Sequence, residues 1–397
     1  MAIPMHSERF RWEAGTRLFD QGRAVAADEA GALGALRQAI RAGGEFLVGP
    51  GGVERLEQGT SGFLRTRSSG TTGTAKTIRR SHRSWIASFE VSRDHLGIGA
   101  ADVYGVLGDL AHSLTLYALV EGAHLGATLH GLAGLRPGRQ ARLLEEAGVT
   151  VLYCTPTQLR LICEADRPLP RLRHILCGGG RLPPGLRARV QALTPTATLR
   201  EFYGAAETSF VAWGAAEGPE GSVGRAYPGV EIRIGPPDGP PAGPEGEIWV
   251  RSPYLFEGYA EGDSAETRWC DGFLSVGEIG RLAADGGLSI VGRRNRMVTI
   301  ADQNVFPEAL EAFLLADPAV THCAVMPQRD PRRGTVLVAV IAGTGDAATA
   351  ERLRRACQAA FGPLAAPRRM IFWSDFPLTL SGKPDLGAIA RHLDGAA

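Results

Sequence analysis

Three short apolar runs constrain the fold most: VTVLYCTP (149–156), RHILCGGGR (173–181) and ATLREFYGAAE (197–207). Each reads as a buried strand, and the second and third run into glycine-bearing turns. Apolar residues at helical spacing precede them over Leu114–Val120 and Arg139–Ala147, and earlier over Ala30–Arg41, which ends at Gly43-Gly44. FLRTRSSGTTGTAKTIRRSH has a strand–glycine loop–strand pattern. Short apolar strands alternating with helices imply an α/β core.

From about residue 222 the texture changes. GSVGRAYPGVEIRIG, EGEIWVRSP and GFLSVGEIGRLAADGGLSIVGR alternate at period two with Gly and Pro breaks, the pattern of a β-rich subdomain with antiparallel strands. The Pro/Gly-dense stretch 236–245 reads as a surface loop between two of them. After Gly292 the cluster Arg293-Arg294-Asn295-Arg296 precedes a fresh α+β pattern. It predicts a helix near Pro307–Leu315, strands at His322–Pro327 and Val336–Ala342, a helix near Ala347–Phe361 and a strand at Arg369–Trp373. The main boundary is therefore expected near 293–296, dividing 1–292 from 293–397.

The 397 residues allow about two to three domains. With 44% hydrophobic and 21% charged residues, the composition is that of a soluble globular protein. Net charge is +1, from 43 basic and 42 acidic residues, which removes the electrostatic argument for a nucleic-acid or membrane-surface partner. No apolar run reaches the roughly 18–20 residues that span a bilayer. The N-terminus lacks the apolar core of a secretory signal. Six cysteines without CxxC spacing predict reduced, mostly buried thiols and a cytoplasmic location.

Only two of the 43 basic residues are lysines, Lys76 and Lys383. A coding bias towards arginine explains the surface, but not where these two stand. Lys76 closes a Gly/Ser/Thr-rich loop, and Lys383 follows a Ser-Gly pair near the C-terminus. An ammonium is a compact point charge that arginine's planar fork does not replace at a tight anionic site. Both positions are thus expected to act on phosphates or a carboxylate.

The loop Ser68-Ser69-Gly70-Thr71-Thr72-Gly73-Thr74-Ala75-Lys76 offers unobstructed backbone N–H groups and hydroxyls that can wrap a polyphosphate. A Walker A loop would need glycine where Ala75 stands. The run instead resembles the phosphate loop of the adenylate-forming ligases: acyl-CoA synthetases, aryl-CoA ligases and peptide-synthetase adenylation domains. Further motifs follow in that family's order. Cys177-Gly178-Gly179-Gly180 resembles its adenine loop, and Tyr203-Gly204-Ala205-Ala206-Glu207 its YGxTE turn. Gly272 through Glu278 resembles GWxxTGD, Gly292-Arg293 through Glu311 the hinge segment, and Pro377 through Lys383 the PxTxxGK loop. The resemblance covers roughly 65–390.

It implies a large N-terminal domain, a small mobile C-terminal domain, and a reaction in two halves. A small carboxylic acid and Mg-ATP give acyl-AMP and pyrophosphate; a thiol of CoA or of a carrier protein's phosphopantetheine then takes the acyl group. By the resemblance, Ser69, Gly70, Thr71, Thr72, Gly73 and Lys76 hold the phosphates. Tyr203 stacks on adenine beside Gly178, Gly179 and Gly180, with Gly204 and Ala206 in the adjoining turn. Glu207, with Thr72, binds Mg²⁺, for which hard oxygen ligands are suited. Glu278 and Arg293 hold the ribose. Lys383 bridges the carboxylate and the α-phosphate, stabilising charge in the transition state. Arg296 is the hinge residue.

Departures shape the expectation. Ala206 replaces the threonine of YGxTE, Glu278 the ribose aspartate, Thr299 the hinge-segment lysine and Asp302 the glycine past which pantetheine runs. Only 67 residues precede the phosphate loop, so a shortened N-terminal subdomain is expected. For the acyl pocket, Asp109 falls near an amine-binding aspartate position, whereas His112 matches the histidine of acyl- and aryl-CoA ligases. Trp213 and Tyr227 fit either the pocket wall or the core. Transfer to an amine, and a nucleotide-binding protein without turnover, are the competing functions; retention of Lys76, Glu207 and Lys383 argues against the latter.

Overall fold

The computed structural model describes residues 8–29, 31–68, 76–180, 182, 184–215, 222–240, 243–300, 303–330, 334–379 and 382–395. Six strands form a parallel array in the order Thr198–Ala205, His174–Gly178, Val151–Cys154, Val103–Val106, Thr128–Gly131 and Leu18–Asp20. The two central strands are the most apolar: all residues of Val151–Cys154 and His174–Gly178 are buried, as expected for strands covered on both faces. Beyond Thr198–Ala205 the sheet turns antiparallel through Ser209–Ala215 and continues into Ser222–Ala226, Leu288–Arg293, Glu278–Leu282 and Glu245–Arg251. A second sheet joins Gly258–Glu261, Lys76–Ser81, Phe63–Ser68, Phe46–Gly49 and Gly52–Arg55. The α/β architecture expected from sequence is therefore present, with the β-rich texture beginning near 222.

From Val298 onward the chain builds its own core around Leu310, Leu314, Val325, Leu337 and Leu353. A three-stranded sheet, Cys323–Asp330, Gly334–Ala342 and Arg369–Trp373, is packed by Pro307–Leu315, Ala347–Ala365 and Leu386–Gly395. The helix expected to stop near Phe361 does break there: Gly362, at φ +81° and ψ 163°, is non-helical, and a short further helical turn from Pro363 reaches Ala365. Leu386–Gly395 was not anticipated.

Two arginines flank the junction. Arg294 pairs with Glu266 (3.0 Å) and Glu247 (3.4 Å), and its backbone N–H donates to the Gly277 carbonyl (2.8 Å). Arg296 instead pairs with Glu311 (2.6 Å) and Glu308 (3.3 Å), and donates to the Val325 carbonyl (3.1 Å). Burial lowers the Arg296 pKa, but these carboxylates outweigh it and raise the value overall.

All six cysteines are free thiols, five buried and Cys270 partly so, as expected. Among the described residues no helix is long and apolar enough to cross a membrane. Burial pushes His82, His124, His130 and His174 each down to about 4. His82 accepts the Phe10 N–H (3.2 Å) and stacks on its ring. Unfolded histidines bind protons below about 6.5, whereas these folded ones do so only near 4. Stability present above about 6.5 is thus lost as pH falls towards 4. Thermal unfolding at pH 5 is expected well below that at pH 7.5, and His82→Gln should narrow the gap; equal midpoints would refute the assignment.

Candidate active site

A cavity of about 640 Å³ opens at the carboxyl ends of the parallel strands, where ligands bind in open α/β sheets. Its wall includes Leu107-Gly108, Thr155, Gly178-Gly179 and Gly204-Ala205-Ala206, which end or follow the strands Val103–Val106, Val151–Cys154, His174–Gly178 and Thr198–Ala205. Thr155 and Gln158 form a reciprocal cap that fixes the start of helix Pro156–Glu164 at this rim.

The glycines have local reasons. A Cβ on Gly178 would meet the Phe202 ring at 2.2 Å, and one on Gly204 the Ser209 carbonyl oxygen at 1.9 Å. Gly179 has φ +84° and faces Lys383, whose Cε would lie 3.9 Å from a Cβ placed there. Gly180, beside Pro156, follows at the exposed end of the loop.

Lys383 reaches this cavity from the C-terminal unit on a tight loop. Thr379 N–H donates to the Lys383 carbonyl (2.7 Å) and Gly382 N–H, at φ +76°, to that of Thr379 (2.9 Å). The residue as a whole is exposed, yet enough protein surrounds its ammonium to desolvate it. That burial, with Arg293, lowers its pKa, while Glu278 raises it. Nearby, buried Glu278 accepts from Arg293 Nε (3.3 Å) and from the Tyr203 hydroxyl. Tyr203, Glu278, Arg293 and Lys383 therefore gather at one side of the cavity. Tyr203 does not line this cavity as neighbouring Phe202 does; it packs against the cluster that holds Val211 and Ala212.

Glu207 follows the Tyr203 turn. Tyr259 donates to its Oε1 (2.8 Å), and the Lys76 ammonium lies 5.6 Å from the Tyr259 ring centre. Burial and Glu207 hold the Tyr259 hydroxyl pKa well above its ordinary value, so it stays a donor. Among the described residues no cluster of three metal-ligating side chains occurs. One carboxylate completed by substrate phosphates is nonetheless the usual provision for Mg²⁺, so Glu207 fits that ion. Ser69, Gly70, Thr71, Thr72 and Gly73, expected to hold the phosphates, lie outside the described residues, as does Asp302.

Asp109 and His112 both line the cavity. Asp109 is exposed and accepts the Ala111 N–H (2.8 Å); His112 occupies the N-cap position of helix Ser113–His124 with no side-chain capping bond. Tyr227 is core rather than wall: it is 2% exposed, stacked on Phe210 at 5.0 Å and met edge-on by Trp213.

Arg80 was missed by sequence reasoning. Its Nη2 donates to the carbonyls of Ala206 (2.6 Å) and Glu207 (3.4 Å), and its Nη1 to Tyr254 (2.5 Å) and Ser84 Oγ (3.0 Å). Burial lowers its pKa to about 10 against the opposing pull of Glu207, Glu257 and Tyr117. Strand alternation over Lys76–Ser81 places it on the inward face with Ile78, the signal that could have found it.

Comparison with known proteins adds to this geometry. The family model described as AMP-binding enzyme matches residues 67–260, and that of the AMP-binding enzyme C-terminal domain matches 309–383. The uncharacterized acyl-CoA ligase YhfT of Bacillus subtilis is 32% identical, over 84% of this chain and 69% of its own. The salicyl-AMP ligase / salicyl-S-ArCP synthetase of Mycobacterium tuberculosis is 32% identical, over 82% of this chain and 60% of its own. The solved amide bond synthetase McbA of Marinactinospora thermotolerans superimposes with a TM-score of 0.73 at 25% identity, covering 85% of this chain and 70% of its own. This chain belongs to the AMP-binding enzymes and is an AMP-forming ligase of the adenylate-forming superfamily.

Proposed function

We propose that the cavity binds a small carboxylic acid and ATP, forms the acyl-adenylate with release of pyrophosphate, and passes the acyl group to a thiol. The observation that carries this reading is the convergence of Lys383 on Gly179, beside Glu278 and Arg293. The acid's carboxylate attacks the α-phosphorus; a carboxylate–phosphorus bond forms and the bond to pyrophosphate breaks. Lys383 neutralises charge growing on the α-phosphate oxygens. Lys76 and the loop before it hold the β- and γ-phosphates. Glu207, oriented by Tyr259, holds Mg²⁺, which offsets phosphate charge when bound. Glu278 accepts from ribose hydroxyls, and Arg293 keeps its carboxylate aimed.

The division near 293–296, with Arg296 at the turning point, belongs to the same proposal, as does a cytoplasmic setting that suits six free thiols. Acid-dependent pyrophosphate exchange tests the first half-reaction; its absence with bound ATP would sink the reading. Calorimetry tests the ribose contact. Glu278→Ala is expected to weaken AMP binding by about 1–3 kcal/mol, and Glu278→Asp by less; unchanged affinity would place the ribose elsewhere.

The acceptor is read as a thiol, on CoA or on a carrier protein's phosphopantetheine. A second reading, transfer to an amine, is favoured by the likeness to an amide bond synthetase and by Asp302 in place of glycine, which permits close backbone approach. Pre-formed acyl-AMP offered separately to CoA, holo-carrier protein and simple amines distinguishes them. If Asp302 narrows the thiol path, Asp302→Gly should speed transfer to CoA; a parent already as fast as its glycine variant would refute that steric role.

A further inference from the structure

Helix Ser113–His124 carries one acid, Glu121, and none of its surface reaches solvent. Its carboxylate accepts phenol O–H groups from Tyr153 (2.7 Å), Tyr104 (2.9 Å) and Tyr117 (3.2 Å). Partners that are hydroxyls leave the charge costly to bury, and burial indeed raises the Glu121 pKa against the pull of these donors. Nothing in the adenylation chemistry uses this acid. Its position explains it better: Tyr117 and Tyr153 also line the active-site cavity.

The same wall holds Trp85, Phe202 and Phe210. Tyr117 meets Phe210 edge-on at 5.1 Å and Trp85 at 5.2 Å, while Phe202 and Phe210 lie 4.7 Å apart. The Tyr117 hydroxyl is also within 2.7 Å of Ser88 Oγ. These rings are held at both ends, by one another and by the carboxylate below. A long acyl tail laid against this wall meets rings that cannot swing aside without stripping donors from a buried charge. A flat acid of ring size meets faces and edges already placed for offset or T-shaped contact.

We propose that this cavity selects a compact aromatic carboxylic acid, and that Glu121 is the positioning residue that sets this choice by pinning Tyr117 and Tyr153. The proposal rests on the ligase reading above and names its substrate class.

Pyrophosphate exchange with benzoate, 4-hydroxybenzoate, hexanoate and dodecanoate tests it. One of the two aromatic acids is expected to exceed dodecanoate in kcat/KM by about tenfold or more, the weight of well-placed aromatic contacts. Dodecanoate or hexanoate equal to or better than both aromatic acids would overturn the proposal while leaving the ligase reading intact. Exchange with no acid, although ATP binds, would overturn both. Glu121→Gln keeps the side-chain shape but removes the charge that gathers the tyrosine and Ser92 hydroxyls; it should raise KM for the aromatic acid, leave KM for ATP unchanged and narrow the preference over dodecanoate. Tyr117→Phe, which removes one O–H from the carboxylate, should act in the same direction if the glutamine variant does not fold. A fall in kcat common to all acids, with the preference unmoved in the folded variant, would reduce Glu121 to scaffolding and refute its role.

Discussion

Replacing Lys383 by alanine is expected to leave the unfolding temperature within a degree or so and to cut acid-dependent pyrophosphate exchange by about 10²–10³-fold. Both halves follow from one geometry. The loop that carries Lys383 is held by Thr379 and Gly382 backbone contacts that the side chain does not make, so alanine removes no bond that keeps the loop folded. The ammonium, by contrast, is the charge brought against Gly179 from across the junction. Its removal leaves growing phosphate charge to be met by groups that are further away. Lys383→Arg should recover little, because a planar fork does not occupy the place of a point charge. Exchange near the parent rate in the alanine variant would remove Lys383 from the mechanism.

Arg80→Met is expected to cost stability as well as rate. The guanidinium binds carbonyls of Ala206, Glu207 and Tyr254, so it ties the strand that begins at Lys76 to the turn that carries Glu207. Methionine matches the stem but leaves the two well-bonded carbonyls unpaired inside the protein. At about 1–3 kcal/mol for each buried polar group left unsatisfied, the loss should be of order 2–6 kcal/mol, read in denaturant midpoint. With the turn loosened, the Mg²⁺ concentration needed for half-maximal exchange should rise in whatever fraction stays folded. Arg80→Lys, with one charge and no fork, should fall between. An unchanged midpoint in the methionine variant would show that water or neighbouring groups satisfy those carbonyls.

Of the six parallel strands, Val151–Cys154 and His174–Gly178 were legible because they are apolar and buried throughout, and Thr198–Ala205 because it ends in a Tyr-Gly turn. Val103–Val106, Thr128–Gly131 and Leu18–Asp20 were not read. The helix Pro307–Leu315 was legible because proline opens it and apolar residues repeat through it. His82–Leu96 was not. Three of its buried positions are Ser84, Ser88 and Ser92, spaced at one turn each. The stripe that faces the core is written partly in small hydroxyl residues, which no apolar periodicity detects. The same gap hid the acyl side of the site. Ser88 and Ser92 support the tyrosines and Glu121, and that cluster joins residues far apart in sequence. Glu121 stands alone among apolar neighbours in LTLYALVEGA, a visible oddity whose meaning required Tyr104 and Tyr153 from adjacent strands. The proposed nucleotide residues were read from motif order, since they come in contiguous loops. Motif order alone did not give the hydrogen bond of Tyr203 to Glu278, which needs strands far apart in sequence.

The paired arginines at the junction have a mechanical consequence. Arg294 is riveted to one body and Arg296 to the other, and a single residue, Asn295, stands between them. Any change of orientation between the bodies that spares both rivets is therefore taken up within one short span of backbone. Lys383 belongs to the C-terminal unit and lies close enough to Arg293, at the edge of that span, to feel its charge. Under the proposed hinge, a few bonds turning there would be enough to withdraw the ammonium from Gly179 without unpacking either core.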